Sequence, residues 1–197
     1  MIPTPTLPHA EAAAWRPELL GEDSEDLLAW YHAVVPGLRP DAHVVEVGVS
    51  WGRTLVYLAE IRAAHGHRGW TEGVDSWLGP NAHPFVSSSR MSYHSALASV
   101  VAHSSPRELE TVCLQRRDSL AAAAAHAPRS LDMVVVDACH DKVSVMEDIL
   151  AWRSKVKVGG LLCGHDYSRA FPGVMAAVDM LLRPQFVVHG TVWVHEV

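Results

Sequence analysis

The chain of 197 residues contains few cysteines and no excess of positive charge. Its three cysteines, Cys113, Cys139 and Cys163, are odd in number and far apart, which argues against a disulfide framework and against a zinc knuckle. The formal net charge of −6 leaves little basic surface for a nucleic-acid backbone, so we expect no nucleic-acid partner. The sequence also lacks the run of about eighteen apolar residues that a membrane span needs.

The start of the sequence and its composition indicate a globular protein. Residues 1–8 lack the basic and apolar segments of a signal peptide, so we expect a cytoplasmic protein without a membrane partner. Apolar residues make up 49% of the chain and charged residues 19%, as in ordinary globular domains. We predict an N-terminal arm and cap helix over residues 1–36, with Ser24 as the helix N-cap, and a single domain over residues 37–197. The arm and the apolar cap helix would suit a homodimer.

Strand and helix patterns alternate from residue 43 onwards. We expect strands near residues 43–48, 70–75, 110–115, 131–137, 158–165, 185–189 and 191–196. We expect helices near residues 24–35, 52–65, 87–102, 118–127, 141–154 and 172–182. This alternation predicts an α/β fold with a Rossmann-like, seven-stranded, mostly parallel sheet and helices on both faces. Two β-rich runs around His189 and Gly190 predict an antiparallel hairpin at the C-terminus.

Residues 43–54 indicate a buried strand, a glycine turn and a helix start, the kind of unit that binds nucleotide-like ligands in α/β sheets. A dinucleotide site has the pattern G-x-G-x-x-G, whereas this turn reads Glu46-x-Gly48-x-x-x-Gly52. The acid would repel a pyrophosphate and would suit a ligand with a cationic amino group. The pattern resembles the first motif of the class I S-adenosylmethionine-dependent methyltransferases. That resemblance implies that Glu46, Gly48, Ser50 and Gly52 bind this cofactor.

The same segment also matches the nucleophile elbow of serine hydrolases. Gly48-Val-Ser50-Trp-Gly52 fits G-x-S-x-G, and Asp166 and His189 follow in the order that a hydrolase triad requires. Only about forty residues precede Ser50, too few for the strands that normally come before the elbow. The sequence also has no HGGG-type oxyanion segment upstream of Ser50. A serine hydrolase is therefore the weaker alternative.

Acids also follow the next two predicted strands. Asp75, at the end of the second strand, is placed to accept hydrogen bonds from ribose hydroxyls, with Ser76 beside it. Trp77 follows and can either stack on an adenine face or pack structurally. The pair Asp118-Ser119, after the third strand, can either meet the adenine edge or cap a helix.

Two further strand ends carry the residues with metal-binding and acid–base chemistry. Four apolar residues lead to Asp137, and His140 follows three residues later; another buried strand ends in His165 and Asp166. Because the ends of neighbouring parallel strands meet, Asp137, His165 and Asp166 should converge beside the ligand crevice. Two carboxylates and an imidazole suit a divalent ion, either Mg²⁺ or a transition metal such as Mn²⁺. The alternative is a capped strand end with surface acids.

From Val44 to about Leu182 the chain resembles the class I methyltransferases, and its second half is similar to the metal-dependent O-methyltransferases of catechol and of macrolide sugars. The resemblance implies that Asp137 contributes to cofactor and metal binding, that His165 and Asp166 occupy the positions of the other metal ligands, and that His140 is the general base. His165 departs from the oxygen ligand usual in that family. Mg²⁺ is the ion that the resemblance implies, with Mn²⁺ or another metal as the alternative.

We therefore predict an O-methyltransferase that uses S-adenosylmethionine and a divalent metal to methylate a hydroxyl of a small molecule, such as a natural product. A metal ion lowers the pKa of the hydroxyl and orients it, and a histidine can accept the proton near neutral pH. A metal-independent methyltransferase with His140 as base, and a ligand-binding module without chemistry, are the alternatives. We expect the acceptor to be selected by the N-terminal arm and by residues 78–102, in which residues 78–86 would form a lid.

Overall fold

The structure is a computed structural model and describes residues 25–78 and 93–197. Its elements alternate between helix and strand, as the sequence predicts. The helices are α1 (Glu25–Val34), α2 (Arg53–Ala64), α3 (Tyr93–His103), α4 (Pro106–Leu109), α5 (Ser119–Ala125), α6 (Lys142–Arg153) and α7 (Pro172–Leu182). The strands are β1 (Val44–Val47), β2 (Thr71–Asp75), β3 (Val112–Arg116), β4 (Leu131–Val136), β5 (Val156–Gly164), β6 (Val187–His189) and β7 (Val192–Glu196). A short 3-10 turn, Val35–Gly37, follows α1.

All seven strands form one sheet in the order β3-β2-β1-β4-β5-β7-β6. The first five are parallel, β7 runs antiparallel to β5, and β6 is antiparallel to β7. The predicted Rossmann-like sheet with a C-terminal antiparallel hairpin is therefore confirmed. The chain order reverses between β1 and β4, and ligands of open α/β sheets bind at such a switch point.

Helices cover both faces of this sheet because its central strands are apolar on both sides. In β4, Val134 and Val136 pack into the core under α5, α6 and α7. The alternating residues Met133 and Val135 pack instead against α1 and α2. This alternation follows from the two-residue repeat of a strand, and it explains why β4 is an unbroken apolar run.

The strand register brings the ends of four parallel strands to one edge of the sheet. Val47 of β1 pairs with Val74 of β2 and with Val136 of β4, and Val136 pairs with Gly164 of β5. The residues that follow these strand ends therefore share one edge. This edge carries the glycine turn and the acids that the sequence indicates as functional.

The boundaries differ from prediction in a few places. The four-residue helix α4 was not predicted; it begins with a capping box in which the Ser105 side chain and the Glu108 side chain each bind the other's backbone amide. Strand β5 begins at Val156, two residues earlier than expected. The predicted arm, the Ser24 cap, the start of the 87–102 helix and most of the predicted lid lie outside the described residues. None of the helices in the described ranges is long and apolar enough to cross a membrane.

Candidate active site

The glycine turn after β1 passes unusually close to the end of β4. Gly48 has a φ of +93°, and a β-carbon placed there would lie 2.1 Å from the carbonyl oxygen of Asp137. Gly52, which precedes α2, has a φ of +85°, and its β-carbon would lie 2.8 Å from a methyl group of Val100. Both positions therefore require glycine, for backbone conformation and for space. The turn is held tightly between β4 and α3.

Asp75 organises this turn through its carboxylate. Its Oδ2 accepts hydrogen bonds from the backbone amides of Val49 and Ser50, each at 3.0 Å, and its Oδ1 accepts from the amide of Trp77 at 2.7 Å. Ser50 is held in a left-handed conformation with a φ of +52°. Asp75 lies at the end of β2, as predicted. The sequence did not predict its hydrogen bonds to the glycine turn. Its predicted contact with ribose stays a prediction.

The loop after Asp75 is tied to the same turn. The indole nitrogen of Trp77 donates to the carbonyl oxygen of Ser50 at 3.0 Å, and the ring is only 8% exposed. Trp77 packs edge-on against Tyr93, with ring centroids 5.1 Å apart. The Ser76 hydroxyl accepts from the amide of Leu78 at 3.3 Å. The structural role of Trp77 is thus clear, while adenine stacking by Trp77 and cofactor binding by Ser76 stay predictions.

Glu46 lies inside the protein beneath the glycine turn and is fully buried. Its carboxylate accepts hydrogen bonds from the hydroxyls of Tyr31 at 2.9 Å and Thr54 at 2.7 Å. Burial, together with the Glu46 charge, raises the pKa of Tyr31 well above its usual value, so this donor keeps its proton. These bonds attach α1 and α2 to β1. A direct contact between Glu46 and the cofactor stays a prediction.

Asp118 and Ser119 stand at the start of α5, the helix that follows β3. Asp118 accepts from the backbone amides of Leu120 and Ala121 and so caps the helix. The Ser119 hydroxyl donates to the carboxylate of Asp148 and accepts from the indole nitrogen of Trp152 at 2.9 Å. The alternative of helix capping thus applies to Asp118, and Ser119 belongs to a side-chain network with α6. Their contact with adenine stays a prediction.

The acids and histidines that follow β4 and β5 lie close together, as predicted for Asp137, His165 and Asp166. Atoms of Asp137, His140 and Asp166 that could bind a metal all lie within 4.8 Å of one another. Nε2 of His140 lies 2.8 Å from an Asp166 oxygen and 3.9 Å from an Asp137 oxygen. This nitrogen is buried and has no aligned hydrogen-bond partner among the described residues. Phe171 packs on the imidazole ring with centroids 4.5 Å apart and fixes its position.

His165 lies deeper than this trio and faces it with one ring nitrogen. Its Nδ1 is 3.7 Å from an oxygen of Asp137 and 3.4 Å from an oxygen of Asp166. Its Nε2 lies 2.9 Å from the carboxylate of Asp26 on α1. Sequence reasoning missed Asp26, because it is 139 residues away in the chain and a lone acid near the start of a helix reads as a capping residue. The metal role of His165 stays a prediction.

The electrostatics of the cluster favour positive charge. Burial alone would lower the pKa of His140, but Asp137 and Asp166 outweigh burial and raise this pKa to about 9. The pKa of His165 is likewise raised to about 9, against the effect of burial, by Asp26, Asp137 and Asp166. The acids thus place a strong negative potential at the strand ends, which a cation would neutralise. Cys139, by contrast, has a pKa raised by burial, so its thiol is not activated.

The geometry does not support the hydrolase alternative with its predicted partners. Ser50 follows β1, whereas His189 ends β6, four positions away in the sheet. At about 4.8 Å per strand, this separation is roughly 19 Å, far beyond hydrogen-bond reach. Ser50 belongs to the glycine turn.

The structure has a glycine turn at the switch point, Asp75 after β2 and an acid–histidine cluster after β4 and β5. This combination defines a class I methyltransferase. Residues 45–167 match a family model described as a methyltransferase domain. This match covers more than half of the chain, and the chain therefore belongs to that family of S-adenosylmethionine-dependent methyltransferases. The predicted enzyme class is confirmed. No curated protein sequence matches the chain.

Solved structures show the same fold at low sequence identity. CalS11, a TDP-rhamnose 3′-O-methyltransferase of calicheamicin biosynthesis, is 15% identical with a TM-score of 0.67, covering 96% of this chain and 86% of that chain. The O-methyltransferase NovP is 18% identical with a TM-score of 0.57, covering 87% of this chain and 79% of that chain. An O-methyltransferase from Bacillus cereus in complex with SAH is 12% identical with a TM-score of 0.60, covering 96% and 89%.

Proposed function

We propose that this chain is an O-methyltransferase that transfers a methyl group from S-adenosylmethionine to a hydroxyl of a small molecule, with the help of a divalent metal ion. One observation carries the proposal. The cluster of Asp137, His140 and Asp166 adjoins the glycine turn, because Gly48 rests against the Asp137 backbone. Groups that can bind a metal and accept a proton therefore stand next to the place where the methyl donor would bind.

The residues at the glycine turn fit the cofactor. Gly48 and Gly52 give the backbone a conformation and a closeness that side chains would prevent. Asp75 uses three of about four lone-pair positions on its carboxylate for the turn, which leaves acceptor capacity for a ribose hydroxyl. The sulfonium of the bound cofactor supplies an electrophilic methyl group. The turn and Asp75 would bind and orient that cofactor.

The acid–histidine cluster fits a divalent cation. Asp137 and Asp166 offer carboxylate oxygens, His165 offers Nδ1, and the buried Nε2 of His140 faces the same space without an aligned hydrogen bond. Carboxylate oxygens and imidazole nitrogens of this kind suit a divalent ion. A bound divalent ion would lower the pKa of the acceptor hydroxyl. Asp137 and Asp166, with His165, would hold the ion.

His140 would act as the general base in this mechanism. The acceptor oxygen must reach the methyl carbon in line with the bond that breaks, so orientation is a large part of catalysis. Asp137 and Asp166 would fix the acceptor through the site that they form. A cation bound there would offset their charge and lower the pKa of His140 from about 9. Nε2 of His140 would then be free of its proton near neutral pH and would take the hydroxyl proton. Phe171 packs against the imidazole with the two rings tilted by 42° and would help to keep the base in place.

We test this function by binding and by turnover. S-adenosylhomocysteine should bind at micromolar concentrations and raise the melting temperature, as a native-state ligand must. Methyl transfer should then be assayed by mass spectrometry against a panel of hydroxyl acceptors, including nucleotide-linked deoxysugars, glycosylated natural products and catechols. Sugar nucleotides belong in this panel because CalS11 is a TDP-rhamnose 3′-O-methyltransferase. Stabilisation by NAD but not by S-adenosylhomocysteine would overturn the proposal.

A further inference from the structure

Asp26 connects helix α1 to the acid–histidine cluster. Its Oδ1 lies 2.9 Å from Nε2 of His165, and its Oδ2 accepts from both the backbone amide and the hydroxyl of Thr191, each at 2.6 Å. Gly190 makes this approach possible, because a β-carbon at that position would lie 2.7 Å from Oδ2 of Asp26. Oδ2 of Asp26 is therefore fixed to the β6–β7 hairpin, and Oδ1 is shared by His165 and the backbone amide of Leu27, which donates to it at 3.0 Å.

This contact sets the orientation of the His165 ring. The two nitrogens of an imidazole point in different directions, so fixing Nε2 against Asp26 also fixes Nδ1. Nδ1 then lies 3.7 Å from Asp137 and 3.4 Å from Asp166, and the side chain is only 4% exposed. An ion with ligands at about 2.1 Å in octahedral geometry separates neighbouring ligand atoms by about 3 Å. A small adjustment would let Nδ1 share an ion with both carboxylates.

We propose that Asp26 is a positioning residue that, by holding Nε2 of His165, presents Nδ1 as a nitrogen ligand beside Asp137 and Asp166 and so makes the site select a transition-metal dication such as Mn²⁺ over Mg²⁺. The inference rests on the proposed function, because it concerns the metal of the same site. Histidine ligands of metals commonly donate their other N–H to a carboxylate, which fixes the tautomer and strengthens the ligand. Imidazole suits transition metals, whereas Mg²⁺ prefers oxygen ligands.

The inference is tested with the whole 197-residue chain by direct metal binding. Free Mn²⁺ is measured by electron paramagnetic resonance in titrations of the wild type, Asp26→Asn, His165→Gln and the double variant. Asp26→Asn should weaken Mn²⁺ binding about 10- to 100-fold, the range known for carboxylates behind histidine ligands. Mg²⁺ affinity, measured by competition, should change much less. The double variant should bind Mn²⁺ no more weakly than His165→Gln alone, since Asp26 acts through His165.

Asp132→Asn is the matched control. Asp132 also accepts a backbone amide, from His43 at 2.9 Å, and also pairs with a cation, Lys157 at 2.7 Å. It lies near the start of β4, at the opposite end from Asp137. This variant should lose stability yet keep the Mn²⁺ affinity of the wild type. An equal loss of Mn²⁺ affinity in Asp132→Asn, or independent and additive effects of Asp26→Asn and His165→Gln, would overturn the inference.

A measurement on the wild type decides the question even where Asp26→Asn fails to fold. In protein labelled with ¹⁵N-histidine and loaded with Zn²⁺, which is diamagnetic, the resonance of Nδ1 of His165 should move on metal binding while Nε2 stays protonated. A shift at Nε2 instead would overturn the inference. The proposed function fails separately, through loss of S-adenosylhomocysteine binding and methyl transfer. A wild type that transfers methyl groups but binds no Mn²⁺ would overturn the inference alone.

Discussion

Gly48 and Asp137 stand in backbone contact across the switch point of the sheet: a β-carbon on Gly48 would lie 2.1 Å from the Asp137 carbonyl oxygen. The turn expected to bind the cofactor and the strand end expected to bind the metal are therefore positioned by one contact. A displacement of either segment would move the other. No side chain fits at the point where the two segments meet.

Gly48→Ala should therefore destabilise the fold severely. We expect a loss of at least about 3 kcal/mol in the free energy of unfolding, because a left-handed alanine costs roughly 1–2 kcal/mol and the backbone must also move. Urea unfolding followed by circular dichroism measures it. Gly66→Ala is the control, since Gly66 also has a positive φ, +75°, but has open space around its β-carbon position. Equal losses in both variants would contradict the close contact.

Asp75→Asn should weaken both the turn and cofactor binding. An amide offers one acceptor oxygen in place of two, so at least one of the three backbone amides loses its partner, at about 1–3 kcal/mol. The melting-temperature rise with S-adenosylhomocysteine should largely disappear. Asp141→Asn is the control, because Asp141 also accepts two backbone amides, but at a helix N-cap where asparagine serves equally well. An unchanged ligand effect in Asp75→Asn would remove Asp75 from the cofactor site.

Ser50→Ala should leave methyl transfer largely intact, because Ser50 contributes its backbone amide and carbonyl to the turn. Steady-state turnover of the variant and the wild type gives the comparison. A fluorophosphonate probe should leave Ser50 unmodified. Stoichiometric labelling of Ser50 would restore the hydrolase hypothesis.

Chelation should stop turnover while leaving cofactor binding nearly unchanged, because the ion serves the acceptor. Asp137→Asn should weaken metal and acceptor binding together, whereas His140→Ala should mainly lower kcat, by roughly 10²–10⁴-fold. Calorimetric titrations with Mn²⁺ and steady-state kinetics separate the two effects. Full activity after exhaustive EDTA treatment, combined with an inactive His140→Ala variant, would favour the metal-independent enzyme.

Asp148→Asn should stabilise the protein at high pH. Burial raises the pKa of Asp148 to about 6, above the usual 3.8, so the folded state prefers the protonated acid. The free energy of unfolding of the wild type therefore falls as Asp148 ionises between about pH 4 and pH 6. Above pH 6 the full cost of burying the charged carboxylate applies. We expect the variant to gain on the order of 2–3 kcal/mol at pH 8 and little at pH 4. Urea unfolding of both proteins at the two pH values measures the difference. A gain that is the same at both pH values would contradict the raised pKa.

The sequence was sufficient to predict elements whose pattern is local. The valine runs of β1 and β4 predict buried strands, and the acids that follow them fall at one edge by the geometry of parallel strands. The proximity of Asp137, His165 and Asp166 could be predicted for this reason, whereas His140 was predicted from its position three residues after Asp137. The turn conformation at Gly48 and Gly52 likewise has a clear local signal.

Contacts between distant segments could not be predicted in the same way. The partner of Asp26 is His165, and the two meet only because α1 packs beside the end of β5. The Asp75 carboxylate faces backbone amides of the glycine turn, and a single sequence does not reveal which acceptor such amides will find. The hydrogen bonds of the Ser119 hydroxyl with Asp148 and Trp152 of α6 could not be predicted for the same reason.

Helix α1 precedes the first strand, yet it supplies a side chain to each half of the site: Tyr31 donates to Glu46 beneath the glycine turn, and Asp26 holds His165. The catalytic unit therefore begins upstream of the region that matches the family model, which starts at residue 45. A chain shortened to begin at β1 would leave a buried carboxylate and a buried imidazole without these partners. In a chimera of two related chains, the junction should lie before α1, so that α1 and the sheet come from the same protein.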